Sequence, residues 1–320
     1  MTGWTTRTVQ LRFALSDWTL GAWKLPLDVC QISLAEGIAA GPSMRLPEAP
    51  VAAGTAGFLV RGIPIAETQP AIAMTAAHVR YVQKQYRHYY IDMGMSFDEY
   101  KAKFSSKTRS TISRKIKRFS EQCGGSLRWR SYSGEAEMLE FHRVARAVSA
   151  LTYQERLLDA GLPGSDAFIE QMKTLARNDC VRAFVLFDGE RPVSYLYCPV
   201  IDDVLIYAYL GYDPAYLKLS VGTVLQWLAL EQLFAERRFR YFDFTEGESD
   251  HKRLFATHEI LAANVLYLPR NLKNRLLVRA HAGFERRVEA LGVWLEEKNL
   301  KRRVRRLIRF GSRQPSAPVE

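Results

Sequence analysis

Hydrophobic and polar positions follow a regular order of elements from residue 126 onward. Apolar residues at every second position predict strands, and apolar residues three and four positions apart predict helices. The pattern reads strand, helix, helix, three strands, helix, strand, short helix and strand. In chain order the segments are 126–132, 134–150, 165–179, 181–187, 192–201, 204–212, 219–238, 240–247, 248–259 and 260–268.

The connections between these segments predict how the strands pair. Two short aspartate-containing turns, at 188–189 and 202–203, favour hairpins, so the three middle strands form an antiparallel meander. The helix 219–238 is a crossover that places strand 240–247 parallel to strand 204–212. The predicted fold class is therefore α/β (α+β), a mixed sheet with flanking helices.

The first hundred residues are less regular. Strand-like pieces lie at 7–14, 27–34 and 57–65, with connections rich in Gly, Pro and Ala between them. We interpret this part as a degenerate second α/β lobe. The predicted division is an N-terminal lobe, a central domain and a basic amphipathic helical tail, at 1–104, 105–268 and 269–320.

The composition excludes several classes of protein. Hydrophobic residues make up 48% and charged residues 25% of the 320 residues, which is typical of a globular chain. No apolar run approaches the roughly 18 residues of a spanning helix, and no signal-peptide pattern is seen. The four cysteines are isolated and the six histidines lack metal-ligand spacing. We therefore expect a cytoplasmic protein without a metal cofactor.

The net charge of +11 is concentrated in two segments. Residues 101–118 hold eight basic and no acidic residues, and residues 270–313 hold fourteen basic and four acidic residues. Such segments usually meet phosphate groups, although either is also compatible with a solvated helix face. Apolar residues run beside the arginines of 270–313 at helical spacing, as in helices that lie on anionic bilayers. We expect peripheral attachment to the inner membrane face there, and we do not expect a nucleic-acid partner.

Four motifs, in this order, resemble the GNAT acyltransferase superfamily, in its Fem-like and CelD-like branch. They are SSKTRSTISRKIKRF (105–119), LTYQERLL (151–158), YLGYDPAYLKLSVGTVL (209–225) and FRYFDFTEGESDHKRLF (239–255). The resemblance implies an enzyme that uses acyl-CoA as co-substrate. It also implies that the pantetheine arm runs between strands 204–211 and 240–245, where Leu210 and its neighbours contact it.

The turn into helix 219–238 is the predicted cofactor site. A helix N-terminus has unsatisfied N–H groups and a partial positive charge, which favour a phosphate. Gly222 lets the backbone come close, Ser220 and Thr223 add hydroxyls, Lys218 adds a cation, and Val221 completes the turn. The resemblance implies that the phosphate is the CoA pyrophosphate. A plain cap on a core helix is the alternative interpretation.

Acylation of an amine requires its neutral form, so a general base is expected. Candidates follow the fifth strand of the pattern: Asp243, Glu246, Glu248, Asp250 and His251. We favour Glu246 or His251 as the base and Lys252 as a contact to an anion or carbonyl. Asp243 alternates with apolar neighbours and should point to the face opposite them.

Other residues are predicted to contact the substrates. Tyr153, Gln154 and Arg156 are candidates for the acceptor site, with a packing tyrosine at a helix end as the alternative. Tyr212 is a candidate general acid for the leaving thiolate, or a residue that stacks near the following turn. Backbone N–H groups of 208–211 would polarise the thioester carbonyl.

The leading hypothesis is an acyl-CoA-dependent N-acyltransferase with an amphiphilic amine acceptor. Bacterial ceramide synthases belong to the branch that the motifs resemble, so a sphingoid long-chain base is the specific acceptor this implies. The alternatives are an acyltransferase of surface-polysaccharide synthesis, a Fem-like transferase that uses aminoacyl-tRNA, and a membrane-docking module without catalysis.

Overall fold

The computed structural model describes residues 3–15, 18–42, 54–152 and 161–297. The strands in chain order are β1 (Thr5–Leu15), β2 (Trp18–Gln31), β3 (Phe58–Pro64), β4 (Ile72–Met74), β5 (His78–Asp92), β6 (Arg128–Tyr132), β7 (Val181–Asp188), β8 (Arg191–Ile201), β9 (Val204–Ile206), β10 (Tyr209–Tyr212), β11 (Tyr241–Asp243) and β12 (His258–Pro269). The helices are α1 (Leu34–Ala40), α2 (Phe97–Ala102), α3 (Ser106–Gln122), α4 (Glu135–Ser149), α5 (Asp166–Arg177), α6 (Val221–Glu236), α7 (Asp250–Phe255) and α8 (Leu272–Glu297), with a 3-10 helix at Pro214–Leu219.

The chain divides into two compact units. The first, which we call the outer unit, contains the described residues within 1–33, 42–85 and 263–320, and the second, the central unit, contains those within 34–41 and 86–262. This division differs from the predicted segments. Residues 86–104 join the central unit because the end of β5 and helix α2 supply Tyr89, Ile91 and Tyr100 to its largest apolar core.

The central unit contains the predicted mixed sheet. Its strands follow the order β5, β11, β9, β8, β7, β6, with β10 paired to β8. Strands β7, β8 and β9 form the antiparallel meander, and β9 runs parallel to β11 after the crossover through α6. The α/β fold predicted from the pattern is confirmed. The predicted strand 204–212 is divided into β9 and β10.

Each face of the central sheet is covered by helices because side chains of a strand alternate between its faces. Helix α6 is apolar almost all round, and eleven of its sixteen residues are buried. It packs with Phe184, Leu196, Phe242 and Phe244 on one face. Helices α4 and α5 pack on the other face of β7 and β8, and α1 packs beside β9 and β11 on that same face.

The outer unit is a sheet whose strands follow the order β1, β2, β3, β12, β5, with β4 paired to β5. Its core joins the apolar faces of these strands to α8, through Leu277, Val278 and Ala282. The apolar stripe of α8, which we predicted to contact a membrane, is therefore divided between the protein core and the surface. One part packs against β1, whereas Leu272 and Leu276 stay exposed.

The structure describes the predicted tail as far as residue 297. Residues 298–313, which carry most of the predicted membrane-binding charge, lie outside the described residues. Within the described part of the chain, no helix is both long enough and apolar enough to span a bilayer.

Candidate active site

A gap opens in the central sheet between β10 and β11. The parallel ladder of β9 and β11 ends where the Tyr207 N–H donates to the Asp243 carbonyl over 2.8 Å. After that point β10 pairs with β8, and within the described chain no ladder joins it to β11. The two strands thus separate next to the site predicted for the thioester.

Backbone N–H groups of β10 face this gap. The Asp213 N–H donates to the Val193 carbonyl of β8 over 2.9 Å. Because successive N–H groups of a strand point to opposite sides, the N–H groups of Leu210 and Tyr212 point away from β8. They are placed to donate to an anionic oxygen held between the strands.

The turn before α6 is held in an unusual conformation. Ser220 lies in the left-handed region, with φ 54° and ψ 39°, and its side chain makes no capping hydrogen bond. Its carbonyl accepts the N–H groups of Thr223 and Val224, over 2.9 and 3.1 Å. The first N–H groups of α6 have no partner within the helix, which is the usual arrangement for binding an anion.

Asp213 fixes the approach to this turn. Its carboxylate is buried, caps the 3-10 helix by accepting the Ala215 N–H over 2.9 Å, and pairs with Arg191 at 2.5 Å. The Ser220 N–H then closes the 3-10 helix on the Leu217 carbonyl. The 3-10 helix and its Asp213 cap therefore hold Ser220 in the left-handed conformation from its N-terminal side.

Gly222 brings α6 directly against β10. A Cβ at this position would lie 3.4 Å from Leu210 Cδ2 and 3.5 Å from Tyr212 Cδ1, which is ordinary contact distance. Alanine would therefore fit against the protein, but its methyl group would occupy space beside the helix N-terminus. The glycine leaves that space unfilled by the protein.

A cavity of about 580 Å³ connects the turn, β10 and helix α7. Eight residues predicted from the sequence lie in its wall: Leu210, Tyr212, Ser220, Val221, Gly222, Thr223, His251 and Lys252. Tyr207, one of the strand tyrosines expected either to line an acyl-chain slot or to pack in the core, also lies there, and two residues that the sequence reasoning missed complete the wall: Leu217 and Ser249. We call this the α6 cavity.

His251 is held in the α6 cavity as a neutral imidazole. Burial lowers its pKa from 6.5 to about 4, helped by the nearby charges of Lys115 and Lys252. Its Nε2 is hydrogen-bonded to Oε1 of the fully buried Gln226, and its ring lies 4.8 Å from that of Phe255. The sequence marks Gln226 as an uncharged polar residue inside an apolar helix. It does not show that Gln226 contacts His251.

Lys252 organises the loop that precedes α7. Its Nζ donates to the carbonyls of Glu246, over 2.9 Å, and Thr245, over 3.5 Å. Ser249 caps α7 by accepting the Lys252 N–H. Lys252 thus shapes this side of the α6 cavity in addition to placing a cation in its wall.

Several predicted residues do not reach the described wall of this cavity. Glu246 and Lys218 are exposed. Glu248 and Asp250 are exposed as well, and they interact with the Arg87 backbone N–H and with the Arg253 side chain, respectively. Their charges are solvated, because each lies in a loop or a first helical turn and not on a strand.

Asp243 is also outside the described wall. It is buried on the sheet face opposite the neighbouring phenylalanines, as alternation predicted, and it contacts His88. The three acceptor-site candidates Tyr153, Gln154 and Arg156 lie outside the described residues. Within the described chain, no group of three or more His, Cys, Asp and Glu residues is placed to hold a metal ion.

A family model agrees with this fold. The family model described as acetyltransferase (GNAT) domain matches residues 106–253. No curated protein matches the chain. Among solved structures, FemX is 10% identical with a TM-score of 0.49, covering 86% of this chain and 90% of that one.

Two further structures are similar over smaller parts. L-PGS from Bacillus licheniformis is 14% identical with a TM-score of 0.42, covering 69% of this chain and 71% of that one. An aminoglycoside acetyltransferase from an uncultured soil metagenomic sample is 17% identical with a TM-score of 0.30, covering 40% and 84%. Together with the mixed sheet and its parted strands, the match of the acetyltransferase (GNAT) model to residues 106–253 shows a GNAT-like fold.

Proposed function

We propose that this protein is an acyl-CoA-dependent N-acyltransferase whose acceptor is an amphiphilic amine. The observation that carries the proposal is the α6 cavity, which joins a helix N-terminus to the β10 side of the gap that opens where the parallel β9–β11 ladder ends. A diphosphate and a thioester, linked by an extended arm, match these two features. The family match over 106–253 supports acyl transfer as the reaction.

In this proposal the pyrophosphate binds at the Ser220–Thr223 turn. The N-terminal N–H groups of α6 and the hydroxyls of the turn contact its oxygens. The pantetheine arm passes Tyr207, Leu210 and Leu217 toward the gap. The Leu210 N–H then stabilises the oxyanion that forms at the thioester carbonyl.

His251 does not suit the role of general base in this arrangement. A catalytic base works best when its pKa lies near the working pH, and the pKa of His251 is about 4. We propose instead that it contacts the donor as a neutral group. Tyr212, beside Gly222, remains our candidate for protonating the leaving thiolate.

We propose an amphiphilic acceptor because the outer unit presents an apolar and basic surface. Leu272 and Leu276 are exposed on α8, and Lys273 lies between them with its Nζ 5.6 Å from the centre of the exposed Trp23 ring. Leucine, tryptophan and lysine together favour an anionic bilayer surface. Attachment to the inner face of the membrane would bring the enzyme to a lipid amine such as a sphingoid long-chain base.

The test is an acyl-transfer assay with purified protein. Long-chain acyl-CoA is mixed with a sphingoid base, a water-soluble amino sugar or no acceptor, and free CoA and amide are measured by mass spectrometry. We expect amide with the sphingoid base. Amide formed with the amino sugar alone would indicate an acyltransferase of polysaccharide synthesis instead. CoA binding without product from any acceptor would indicate a binding module without catalysis.

Aminoacyl-tRNA is a second candidate donor because α3 presents a basic face. Lys107, Arg114, Lys117 and Arg118 are exposed on it. If the protein binds tRNA with an affinity that falls steeply with salt and transfers its aminoacyl group, the donor is aminoacyl-tRNA and not acyl-CoA. Absence of tRNA binding at low salt would exclude it.

A further inference from the structure

The gap between β10 and β11 has two sides, and the α6 cavity lies on only one of them. Phe242 and Phe244 point toward the α6 side, so Asp243, between them, points to the opposite side. Asp243 is also the last residue of β11 that is paired with β9. Its carboxylate therefore lies at the point where the strands separate, on the face away from the donor.

One oxygen of this carboxylate is fixed by two hydrogen bonds. Asp243 Oδ1 accepts from His88 Nε2 over 2.5 Å and from the Thr245 N–H over 2.6 Å. His88 lies on β5, two residues from Tyr90, which pairs with Asp243 in the antiparallel ladder. Both side chains are nearly buried, with Asp243 6% and His88 9% exposed.

Within the described residues, the other oxygen, Oδ2, has no hydrogen-bond partner. Among the described residues, the Asp243 carboxylate makes no hydrogen bond or ion pair beyond these two. Oδ2 is also not among the fully buried side-chain atoms that lack a partner, so it reaches the surface and is open to a ligand. A nearly buried carboxylate with a free oxygen favours a cationic hydrogen-bond donor. A primary alkylammonium has the required charge and protons.

We propose that Asp243 Oδ2 binds the acceptor ammonium and removes its proton, and that His88 is the residue that positions this carboxylate. This inference rests on the proposed function. The amine nitrogen attacks the thioester carbonyl carbon, so that a C–N bond forms and the C–S bond breaks. One proton of the ammonium passes to Asp243 Oδ2 before the attack. The second proton, which the nitrogen loses on becoming an amide, passes to the sulfur of the leaving CoA, with Tyr212 as the candidate relay, so that the products are the amide, the CoA thiol and protonated Asp243.

The experiment compares two nucleophiles with the full-length protein. An alkylamine is protonated at pH 7 and needs the base, whereas hydroxylamine is largely neutral and does not. We expect Asp243→Asn to lower kcat/KM for the alkylamine by about a hundredfold or more, the usual size of a general-base effect. For hydroxylamine we expect a loss below about tenfold, and no change in the KM for acyl-CoA.

The positioning role of His88 is tested in the same assay. His88→Ala should lower alkylamine transfer while sparing hydroxylamine. His88→Gln should restore most of the alkylamine rate, because its amide N–H can still donate to Asp243 Oδ1. Asp92→Asn is the matched control. Asp92 lies on β5 with His88, and in the part of the chain described its carboxylate accepts only the Gly94 backbone N–H.

Three outcomes decide the proposal. Equal losses for both nucleophiles in Asp243→Asn would mean a structural role, and unchanged rates for both would mean no role; either overturns it. Wild-type protein that releases CoA with neither nucleophile would instead refute the proposed function. Acyl-CoA binding measured by calorimetry on each variant separates misfolding from loss of the base.

Discussion

The neutral state of His251 makes the stability of this protein depend on pH in a defined way. In the unfolded chain the imidazole takes up a proton near pH 6.5, whereas in the folded protein it does so only near pH 4. Because the unfolded state binds more protons between these values, the stabilisation is present above pH 6.5 and is lost as pH falls toward 4. Each pH unit in this window costs about 1.4 kcal/mol, so roughly 2 kcal/mol is lost between pH 6.5 and 5.

The measurement is urea unfolding at several pH values between 7.5 and 5, for wild type and for His251→Gln. Glutamine can still donate to Gln226 Oε1 but does not titrate, so the variant should lack this part of the pH dependence. Comparing the two proteins cancels the contribution of the other titrating groups. Equal changes in the free energy of unfolding with pH would refute the reasoning.

A second variant tests the cause of the shift. Burial is its largest cause and Lys115 the next, so Lys115→Gln should raise the folded pKa of His251 only in part. Proton NMR titration of the His251 ring would measure this directly. A return to 6.5 in this variant would mean that charge repulsion, and not burial, dominates.

Three further predictions concern the cavity and the surface. Gly222→Ala should keep the free energy of unfolding within about 1 kcal/mol of wild type and weaken CoA binding about tenfold, measured by calorimetry. Gly211→Ala should destabilise the protein by about 1–3 kcal/mol, measured by urea unfolding, because a Cβ there would lie 2.4 Å from the buried ring of Tyr195. Leu276→Asp should reduce co-sedimentation with anionic vesicles, while the exposed Leu139 of α4, changed likewise, should not.

The central sheet could be predicted because its signals are local. Both turns of the meander need a positive φ, which glycine and residues with short polar side chains adopt most readily. The residues in this conformation are Gly189 in one turn and Asp202 and Asp203 in the other. The turn before α6 could be predicted for the same reason, because its residues are adjacent in the chain. This is why most of the predicted cofactor contacts lie together in one cavity.

Strand β5 and the His88–Asp243 contact were missed for the opposite reason. β5 carries polar residues along its middle, including Gln83, Lys84 and Arg87, and becomes a strand by pairing on both sides with β11 and β12. His88 lies 155 residues from Asp243 in the chain. A contact of this kind depends on the tertiary fold, which propensity and periodicity do not determine.

The membrane assignment of α8 shows a different limit. An apolar stripe on a helix predicts that an apolar partner covers it, but it does not tell whether that partner is the protein core or a lipid. Leu277 and Val278 pack in the protein core, but the pattern alone could not separate them from the exposed Leu276 beside them. The prediction of membrane contact therefore depends on the exposed side chains and on the cations near them.

Electrostatics gives an independent reason why donor and acceptor should enter the gap from opposite faces. The α6 cavity contains the positive end of a helix and the Lys252 ammonium, and Lys115 is close enough to affect His251. These charges attract a diphosphate but would repel an alkylammonium. The carboxylate of Asp243, on the other face, attracts the ammonium and is separated from the helix N-terminus by the sheet. An acceptor held there would meet the thioester in the gap without crossing the positive potential that holds the donor.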